Sequence, residues 1–252
     1  MRKIAAVLLA GLFSLTALRA EEHVALPAQP WSFSGPLGSF DRAAALRGFQ
    51  VFKEVCAACH GAKHVKFYHL ADLGLTEAQI KALAADRDYK DGPNDEGEMF
   101  QRKGTPSDAL LSPYANDQAA RAANNGALPP DQSLMTKARV GGADYVYALL
   151  TGFHDKPPAG VVLGQGMHYN AYFPGNQIAM APPLTKGQVT YLDGTEATVE
   201  QMAHDVTTFL AWAAEPEMEQ RKRFGVMVLL FLSVLVTLLY RSMKKVWADE
   251  KH

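Results

Sequence analysis

The sequence predicts a mostly α-helical domain with long loops, preceded by an export signal and followed by one membrane-spanning helix. Three observations predict it: an apolar run at each end of the chain, helical periodicity with capping residues between them, and connections rich in glycine and proline. At 252 residues, the chain is long enough for one ordinary domain with a sizeable core.

Residues 1–20 are typical of a secretory signal peptide. Arg2 and Lys3 supply its positive start, residues 4–18 its apolar stretch and residues 17–20 its small-residue end. A retained N-terminal anchor is the alternative, but the apolar run is short for a membrane span. The exported domain is therefore expected at residues 21–220.

A second apolar run, residues 224–240, contains 17 residues without a charge. As a helix it would span ~25 Å, slightly less than a hydrocarbon core, and Arg223 and Arg241 can extend their charges to the two interfaces. A buried core helix is the alternative, but only Ser233 and Thr237 interrupt the run before it ends at Tyr240. The sequence predicts a membrane anchor at residues 221–246 and a cytoplasmic tail at residues 247–252, oriented by the export signal.

Charge is distributed unevenly along the chain. The net charge is −1, but residues 21–220 hold 24 acidic and 15 basic residues. An acidic exported domain argues against nucleic acid as a partner and favours a basic protein. Acidic residues are densest at positions 86–98, where a solvated loop and a docking surface are the two interpretations. For the docking surface, we expect the charges of Asp95, Glu96 and Glu98 to matter.

Both cysteines fall in one motif, Cys56-Ala57-Ala58-Cys59-His60, and C-x-x-C-H is the attachment signature of covalent haem. Two thiols one helical turn apart can form thioethers with the two porphyrin vinyl groups, and the next residue places an imidazole at the iron. A redox C-x-x-C of the thioredoxin type is the alternative, but it needs a βαβ context that we do not find in this sequence. The motif predicts one haem c attached through Cys56 and Cys59, with His60 as an axial ligand.

The second axial ligand decides between electron transfer and substrate binding. The candidates beyond the motif are several methionines and five histidines: His64, His69, His154, His168 and His204. Met180 is the first choice because Pro182 and Pro183 fix an extended backbone beside it, and Met167 is the second. A His/Met pair would raise the potential and leave no site for substrate, as an electron carrier requires.

Periodicity and capping residues predict the elements of the domain in order. Helices are predicted at residues 41–55, 116–123 and 143–151, and behind the capping boxes of Thr76 with Gln79 and of Thr198 with Gln201. Asp193-Gly194 predicts a small hairpin, and Pro216 predicts a break before the membrane helix. Together these elements predict a cytochrome c-like haem domain in which the cofactor supplies much of the core.

The sequence resembles the cytochrome c1 family, the haem subunits of cytochrome bc1 complexes, in its bacterial form. The resemblance covers nearly all of the mature chain and is carried by six segments: residues 31–36, 47–60, 119–131, 141–147, 178–180 and 212–217. So many ordered matches are far more specific than C-x-x-C-H alone.

The resemblance implies that His60 and Met180 are the axial ligands and that Arg139 pairs with a haem propionate, for which a surface charge is the alternative. It implies that four further residues line the haem crevice: Asn124, Pro129, Pro130 and Tyr145. A proline carbonyl would accept the other imidazole N–H of His60. For Tyr145, plain helix packing is the alternative.

The chain departs from the family pattern at two places beside the expected haem site. Ala181 stands where the family often has a third proline, and Val140 and Ala143 stand where it commonly has His and Glu around the paired glycines. These departures concern the tuning of the site and leave the expected ligation intact.

The resemblance also implies a place in an electron-transfer chain. A dimeric complex with cytochrome b in the bacterial inner membrane would oxidise quinol, and a Rieske iron–sulfur protein would deliver one electron to this haem. The periplasmic haem domain would then reduce a soluble or tethered cytochrome c through that protein's basic face. Two alternatives remain: a free-standing tethered shuttle cytochrome, and a haem enzyme or sensor with an open iron site.

Overall fold

The computed structural model describes residues 24–248, and over this range the fold is mostly α-helical, as predicted. The predicted signal peptide and residues 249–252 of the predicted tail lie outside the described residues. The helices are α1 Arg42–Glu54, α2 Glu77–Ala85, α3 Asp117–Ala123, α4 Met135–Ala138, α5 Gly142–Thr151, α6 Val199–Ala214 and α7 Met218–Val246.

Six short strands form three antiparallel pairs within the described part of the chain. The strands are β1 Ala62–Lys66, β2 Asp88–Asp91, β3 Phe100–Lys103, β4 Ala109–Leu110, β5 His168–Tyr169 and β6 Gln177–Ile178. β1 pairs with β4, β2 with β3, and β5 with β6. The pairs fasten long loops to the helical core and do not form a common sheet.

Thr76 and Thr198 cap helices as expected from the sequence, and Asp41 caps α1 in addition. The capping box is complete at Thr76 but not at Thr198, because the Gln201 side chain donates to Asp205. Asp41 accepts a hydrogen bond from the backbone N–H of Ala44 at 3.0 Å. Thr76 and Thr198 accept from the backbone N–H groups three residues on, at 3.3 and 3.1 Å. Because a capped first turn satisfies backbone donors that would otherwise lack partners, these residues determine where the helices begin.

The hairpin predicted at Asp193-Gly194 is wrong. Gly194 makes a turn, with its N–H bonded to the Tyr191 carbonyl at 3.2 Å, but neither flank is a strand. The reason lies in α1, whose side chains bind this segment instead. Arg47 pairs with Asp193 at 2.9 Å, and Gln50 donates to the Thr190 carbonyl at 2.9 Å. The Asp193 carboxylate and the Thr190 carbonyl therefore have hydrogen-bond partners without strand pairing.

The core is organised around the crossing of α1 and α6. A Cβ atom on Gly48 would lie 1.9 Å from the Asp205 carbonyl oxygen, so only glycine permits this approach of the two backbones. On one side of the crossing, Phe49 and Phe52 of α1 pack on Phe209 of α6, with ring centroids 5.6 and 5.4 Å apart. All three rings are buried.

An ion pair joins the same two helices. The Asp205 side chain is fully buried, and Arg47 donates to both of its oxygens, at 2.8 and 3.0 Å. Burial acts to raise the pKa of Asp205, but the donors around the carboxylate hold that pKa below its ordinary value. The aspartate is therefore charged at neutral pH and bonded in a fork geometry that fixes the helix register.

The C-terminal helix α7 is long and apolar enough to cross a membrane. Its 29 residues extend ~43 Å, and Pro216 lies in the gap between α6 and α7, where the break was predicted. The first turns of α7 are bonded to the domain. Glu219 accepts from the Phe40 N–H at 2.7 Å, and Lys222 donates to the Phe33 carbonyl at 2.7 Å. The first turns of α7 are thus attached to the folded domain, and the rest of the helix extends away from it.

Replacement of Gly48 by alanine is expected to destabilise the protein because the added methyl group meets the Asp205 backbone and the Cβ atom of Phe209. Overpacking of about 1–3 kcal/mol corresponds to a thermal midpoint lower by roughly 2–12 °C in the detergent-solubilised protein. Gly225→Ala is the matched control, since this helical glycine has nothing within 4 Å of the added atom. Equal midpoints for Gly48→Ala and wild type would contradict the close crossing.

Candidate functional site

A cavity of about 640 Å³ opens beside the C-terminal end of α1. Its volume lies in the range of about 300–1,000 Å³ that cofactor sites occupy, and most of its walls are apolar. All nine site residues expected from the sequence line it: Cys56, Cys59, His60, Asn124, Pro129, Pro130, Arg139, Tyr145 and Met180. The structure therefore brings together residues that span more than 120 positions of the chain.

A short 3₁₀ turn, Cys56–Ala58, follows α1 and carries the C-x-x-C-H motif. The N–H groups of Cys59 and His60 both bond to the Cys56 carbonyl, at 3.1 and 2.9 Å. This single turn places both thiols and the imidazole against the same cavity. The two cysteines are not bridged to each other.

The environment of Cys56 argues against a reactive redox thiol. Burial raises the pKa of the Cys56 thiol to about 12, so the thiolate is disfavoured at neutral pH. Redox and thiolate-ligand cysteines need the opposite environment, one that lowers their pKa. A neutral thioether has no charge to desolvate, and such a site suits it.

The imidazole of His60 is oriented by a backbone carbonyl. Its Nδ1 lies 2.7 Å from the Pro130 oxygen and, as the donor of that bond, leaves the lone pair on Nε2. Burial lowers the pKa of His60 below its ordinary value, against the Pro130 hydrogen bond and the charge of Asp131, which raise it. The ring is therefore neutral at physiological pH, as a metal ligand must be.

Gln132 is a neighbour of His60 that the sequence did not indicate. Its Nε2 lies 3.0 Å from His60 Nδ1 and 3.5 Å from the Pro130 oxygen. The side chain also lines the cavity. No motif marks this position, because the contact joins residues 72 apart in sequence.

The β5–β6 pair positions the Met180 segment. His168 pairs with Ile178, which is buried, and two residues later Met180 lines the cavity. Among the described residues, the cavity lining includes Met180 and His168 but not Met167, the second candidate methionine. Geometry thus separates Met180 from Met167 and leaves His168 and Met135 as the other axial candidates in the lining from the described chain.

Arg139 and Tyr145 lie on either side of the start of α5. Tyr145 is buried, and burial raises its pKa while the nearby charge of Arg139 lowers it. Arg139 is exposed at the cavity edge, and no carboxylate of residues 24–248 lies within ion-pairing distance of it. A guanidinium there is available for an anionic group at the cavity mouth.

Asn124 lines the cavity, but its amide donates to other groups. The Nδ2 donates to the Tyr114 hydroxyl at 3.0 Å and to the Ala120 carbonyl at 2.7 Å. These bonds close the C-terminal end of α3. Asn124 therefore shapes the wall of the cavity by fixing α3.

The residues present fit a covalently attached haem. The cavity offers two thiols for thioethers, a neutral imidazole, a methionine sulfur, apolar walls and a guanidinium at the rim. Among the described residues no group of three or more His, Cys, Asp or Glu side chains could hold a metal ion by itself. Iron at this site would therefore depend on porphyrin nitrogens for its equatorial ligands.

Comparisons with known proteins agree with this chemistry. The pattern of the Cytochrome C1 family matches residues 31–250. A Rhodospirillum rubrum protein named cytochrome c1 is 47% identical over 92% of this chain and 91% of its own length. The Saccharomyces cerevisiae mitochondrial cytochrome c1 haem protein is 49% identical over 97% of this chain and 79% of its own.

A longer relative is the Bradyrhizobium diazoefficiens protein named cytochrome b/c1, which is 52% identical over 88% of this chain. The match spans only 36% of that protein's length.

Each cysteine is expected to form one thioether. Because the chain has two cysteines, Cys56→Ala and Cys59→Ala should each retain at most one covalent link, and the double variant none. Haem staining after denaturing electrophoresis measures covalent attachment, and the alkaline pyridine spectrum counts the vinyl groups that remain. Covalent haem in the double variant would contradict attachment at this motif.

Proposed function

The chain belongs to the cytochrome c1 family, the electron-transfer haem subunits of cytochrome bc1 complexes, and we propose that it passes single electrons from a Rieske iron–sulfur protein to a cytochrome c. Its haem c is attached through Cys56 and Cys59. One observation carries the proposal: His60 and Met180 line the same cavity, so both axial positions can be filled by protein.

When bound, the haem supplies one-electron chemistry at its iron. The neutral imidazole of His60, held by Pro130, and the soft thioether of Met180 would be the two protein ligands of its iron. A thioether favours the ferrous state and so raises the potential. With both positions occupied, the site excludes a substrate, which favours a carrier over an enzyme or sensor with an open site.

Arg139 is the proposed partner of a haem propionate. Its support is a guanidinium at the cavity edge that donates to the Ala138 carbonyl and has no carboxylate partner among the described residues, since a planar fork matches a carboxylate in a bidentate geometry. Asn124, Pro129, Pro130 and Tyr145 form the surrounding crevice. Their task is to exclude water and to hold the ligands in place.

The proposed assembly is a membrane complex with cytochrome b, the Rieske protein and a second copy of each subunit. The name of the Bradyrhizobium relative, which joins cytochrome b and c1, supports the association with cytochrome b. As a whole this complex would be a quinol–cytochrome c oxidoreductase. We place the haem domain in the periplasm of a bacterial inner membrane, with α7 crossing the membrane once and the C-terminus in the cytoplasm.

The acceptor would dock at the acidic segment between β2 and β3. In this segment Asp88 pairs with Lys103 and Asp91 with Arg102, so their charges are compensated. The remaining acids of the connecting loop have no basic partner within the described residues: Asp95, Glu96 and Glu98. Uncompensated charges of one sign steer a basic partner over a Debye length, ~8 Å at physiological salt.

Met180→Leu is expected to remove the axial thioether. The midpoint potential should fall by more than ~59 mV, a tenfold change in the one-electron equilibrium, and the reduced protein should bind carbon monoxide. Redox titration and absorption spectra measure both. Met167→Leu is the matched control, since Met167 is outside the described cavity lining. An unchanged potential in Met180→Leu would refute the proposed ligation and leave His168 and Met135 as the candidates in the described lining.

Neutralising Asp95, Glu96 and Glu98 together is expected to flatten the salt dependence of acceptor reduction, because steering by exposed charge is screened by salt. Stopped-flow reduction of a basic cytochrome c over a range of ionic strength measures it.

The control for this experiment neutralises three acids that are paired with lysines outside this segment: Glu77, Glu196 and Glu215. Both triple variants change the net charge equally, so only a local effect separates them. Identical salt profiles for the two would remove the loop as the docking surface.

A further inference from the structure

The N-terminal strap, residues 26–33, crosses the start of α5 and is fastened there. Asp144 Oδ1 accepts from the Trp31 indole Nε1–H at 2.7 Å and from the Gln29 backbone N–H at 3.0 Å. These bonds join segments 113 and 115 residues apart. One carboxylate oxygen therefore ties the beginning of the domain to the helix that follows Arg139.

Trp31 also connects α5 to α6. The indole is 8% exposed and stacks on the imidazole of His204, with centroids 4.8 Å apart and planes 17° apart. Within the strap, the indole also stacks on the ring of Phe33, with centroids 5.4 Å apart. A stacked and nearly buried ring has one orientation, so its N–H donor is directed at Asp144.

The start of α5 lacks a cap of its own. Its N-cap is Gly141, in the left-handed region at φ 86°, and no side chain of the described residues caps the backbone N–H groups of the first turn. Gly142 is also left-handed, and its N–H bonds back to the Arg139 carbonyl at 3.0 Å. Two adjacent glycines without a cap are intrinsically loose, because glycine has the greatest backbone freedom.

The same turn carries residues of the cavity. Arg139 precedes it and Tyr145 ends it, and both line the cavity, while the strap binds the intervening Asp144 from outside. Leu26 of the strap lies against Gly141, where an added Cβ atom would be 2.2 Å from its Cδ1. The strap thus holds the backbone between the two residues through Asp144 and Leu26, although none of its groups accepts from the backbone N–H groups of the first turn.

We propose that Trp31 and Asp144 are positioning residues that hold Arg139 and Tyr145 at the cofactor and thereby set its reduction potential. This inference rests on the proposed roles of the haem and of Arg139. A nearby cation favours the reduced state, which carries one more negative charge. A loosened turn moves Arg139 away and admits water, and both changes lower the potential.

Trp31→Phe tests the inference by keeping an aromatic ring and removing the indole donor, together with part of the ring volume. The reduction equilibrium constant is expected to fall about threefold to tenfold, where tenfold is ~59 mV for one electron. Redox titration of the membrane-bound protein measures it. Hydrogen exchange should also become faster at the amides of residues 141–145, a readout that is independent of electron transfer.

Trp212→Phe is the matched control. Trp212 is more buried than Trp31, at 1%, and its indole also donates to a carboxylate, Asp72, at 2.7 Å, but it lies outside the described cavity lining. If loss of any buried indole bond lowered the potential through general destabilisation, Trp212→Phe would lower it at least as much. That result would overturn the inference.

Two substitutions of Asp144 separate the effect of its hydrogen bond with Trp31 from the effect of its charge. Asp144→Asn keeps an acceptor oxygen for Trp31 but removes a negative charge, whereas Asp144→Ala removes both. The inference requires a lower potential in Asp144→Ala than in Asp144→Asn. Equal potentials in the two variants would show that the strap bond does not matter.

Arg139→Gln distinguishes failure of the inference from failure of the proposed function. If Arg139→Gln lowers the potential and Trp31→Phe adds nothing further in that background, the strap acts through Arg139. If Arg139→Gln lowers it and Trp31→Phe alone has no effect, the inference is wrong and the role of Arg139 stands. If Arg139→Gln leaves it unchanged, the proposed propionate pairing is wrong, and the strap mechanism fails with it.

Discussion

The close crossing of α1 and α6 is the constraint on which the rest of the structure depends. Gly48 lets the backbones approach, and the bidentate Arg47–Asp205 pair fixes their register. The motif that attaches the haem follows α1 directly, and Val206 and Leu210 of α6 form part of the cavity wall. A shift of one helix along the other would therefore displace the attachment turn relative to its own cavity.

The same helix leads to the membrane. α6 ends at Ala214, and the first turns of α7 are bonded back to the segment that precedes α1, through Glu219 and Lys222. Trp212 near the end of α6 donates to Asp72, which also pairs with Arg42 at the start of α1. Because these bonds return to α1, the haem attachment turn and the membrane anchor belong to one packed unit. That arrangement suits a carrier that must keep its cofactor at a set place relative to fixed partners.

Local signals in the sequence predicted the helices well. They did not predict contacts between residues that are far apart in the chain. Asp41, Thr76 and Thr198 cap helices whose starts were predicted, because a cap needs only the next three residues. The predicted hairpin at Asp193 failed because α1 binds its polar groups. The β2–β3 pairing, which compensates Asp88 and Asp91, was not predicted either. All of the expected site residues line one cavity, but Gln132 was missed, since its contact with His60 crosses 72 residues.

The size of the cavity explains why covalent attachment and fold belong together. If a space of about 640 Å³ were left empty and dry, a cavity coefficient of ~24 cal/mol per Å³ would place the cost near ~15 kcal/mol. Water entering the open side reduces this figure, so it is an upper bound. Even so, it matches the whole stability of an ordinary domain, roughly 5–15 kcal/mol. A domain with such a cavity needs its cofactor as part of the core. Two thioether bonds ensure that the cofactor cannot dissociate.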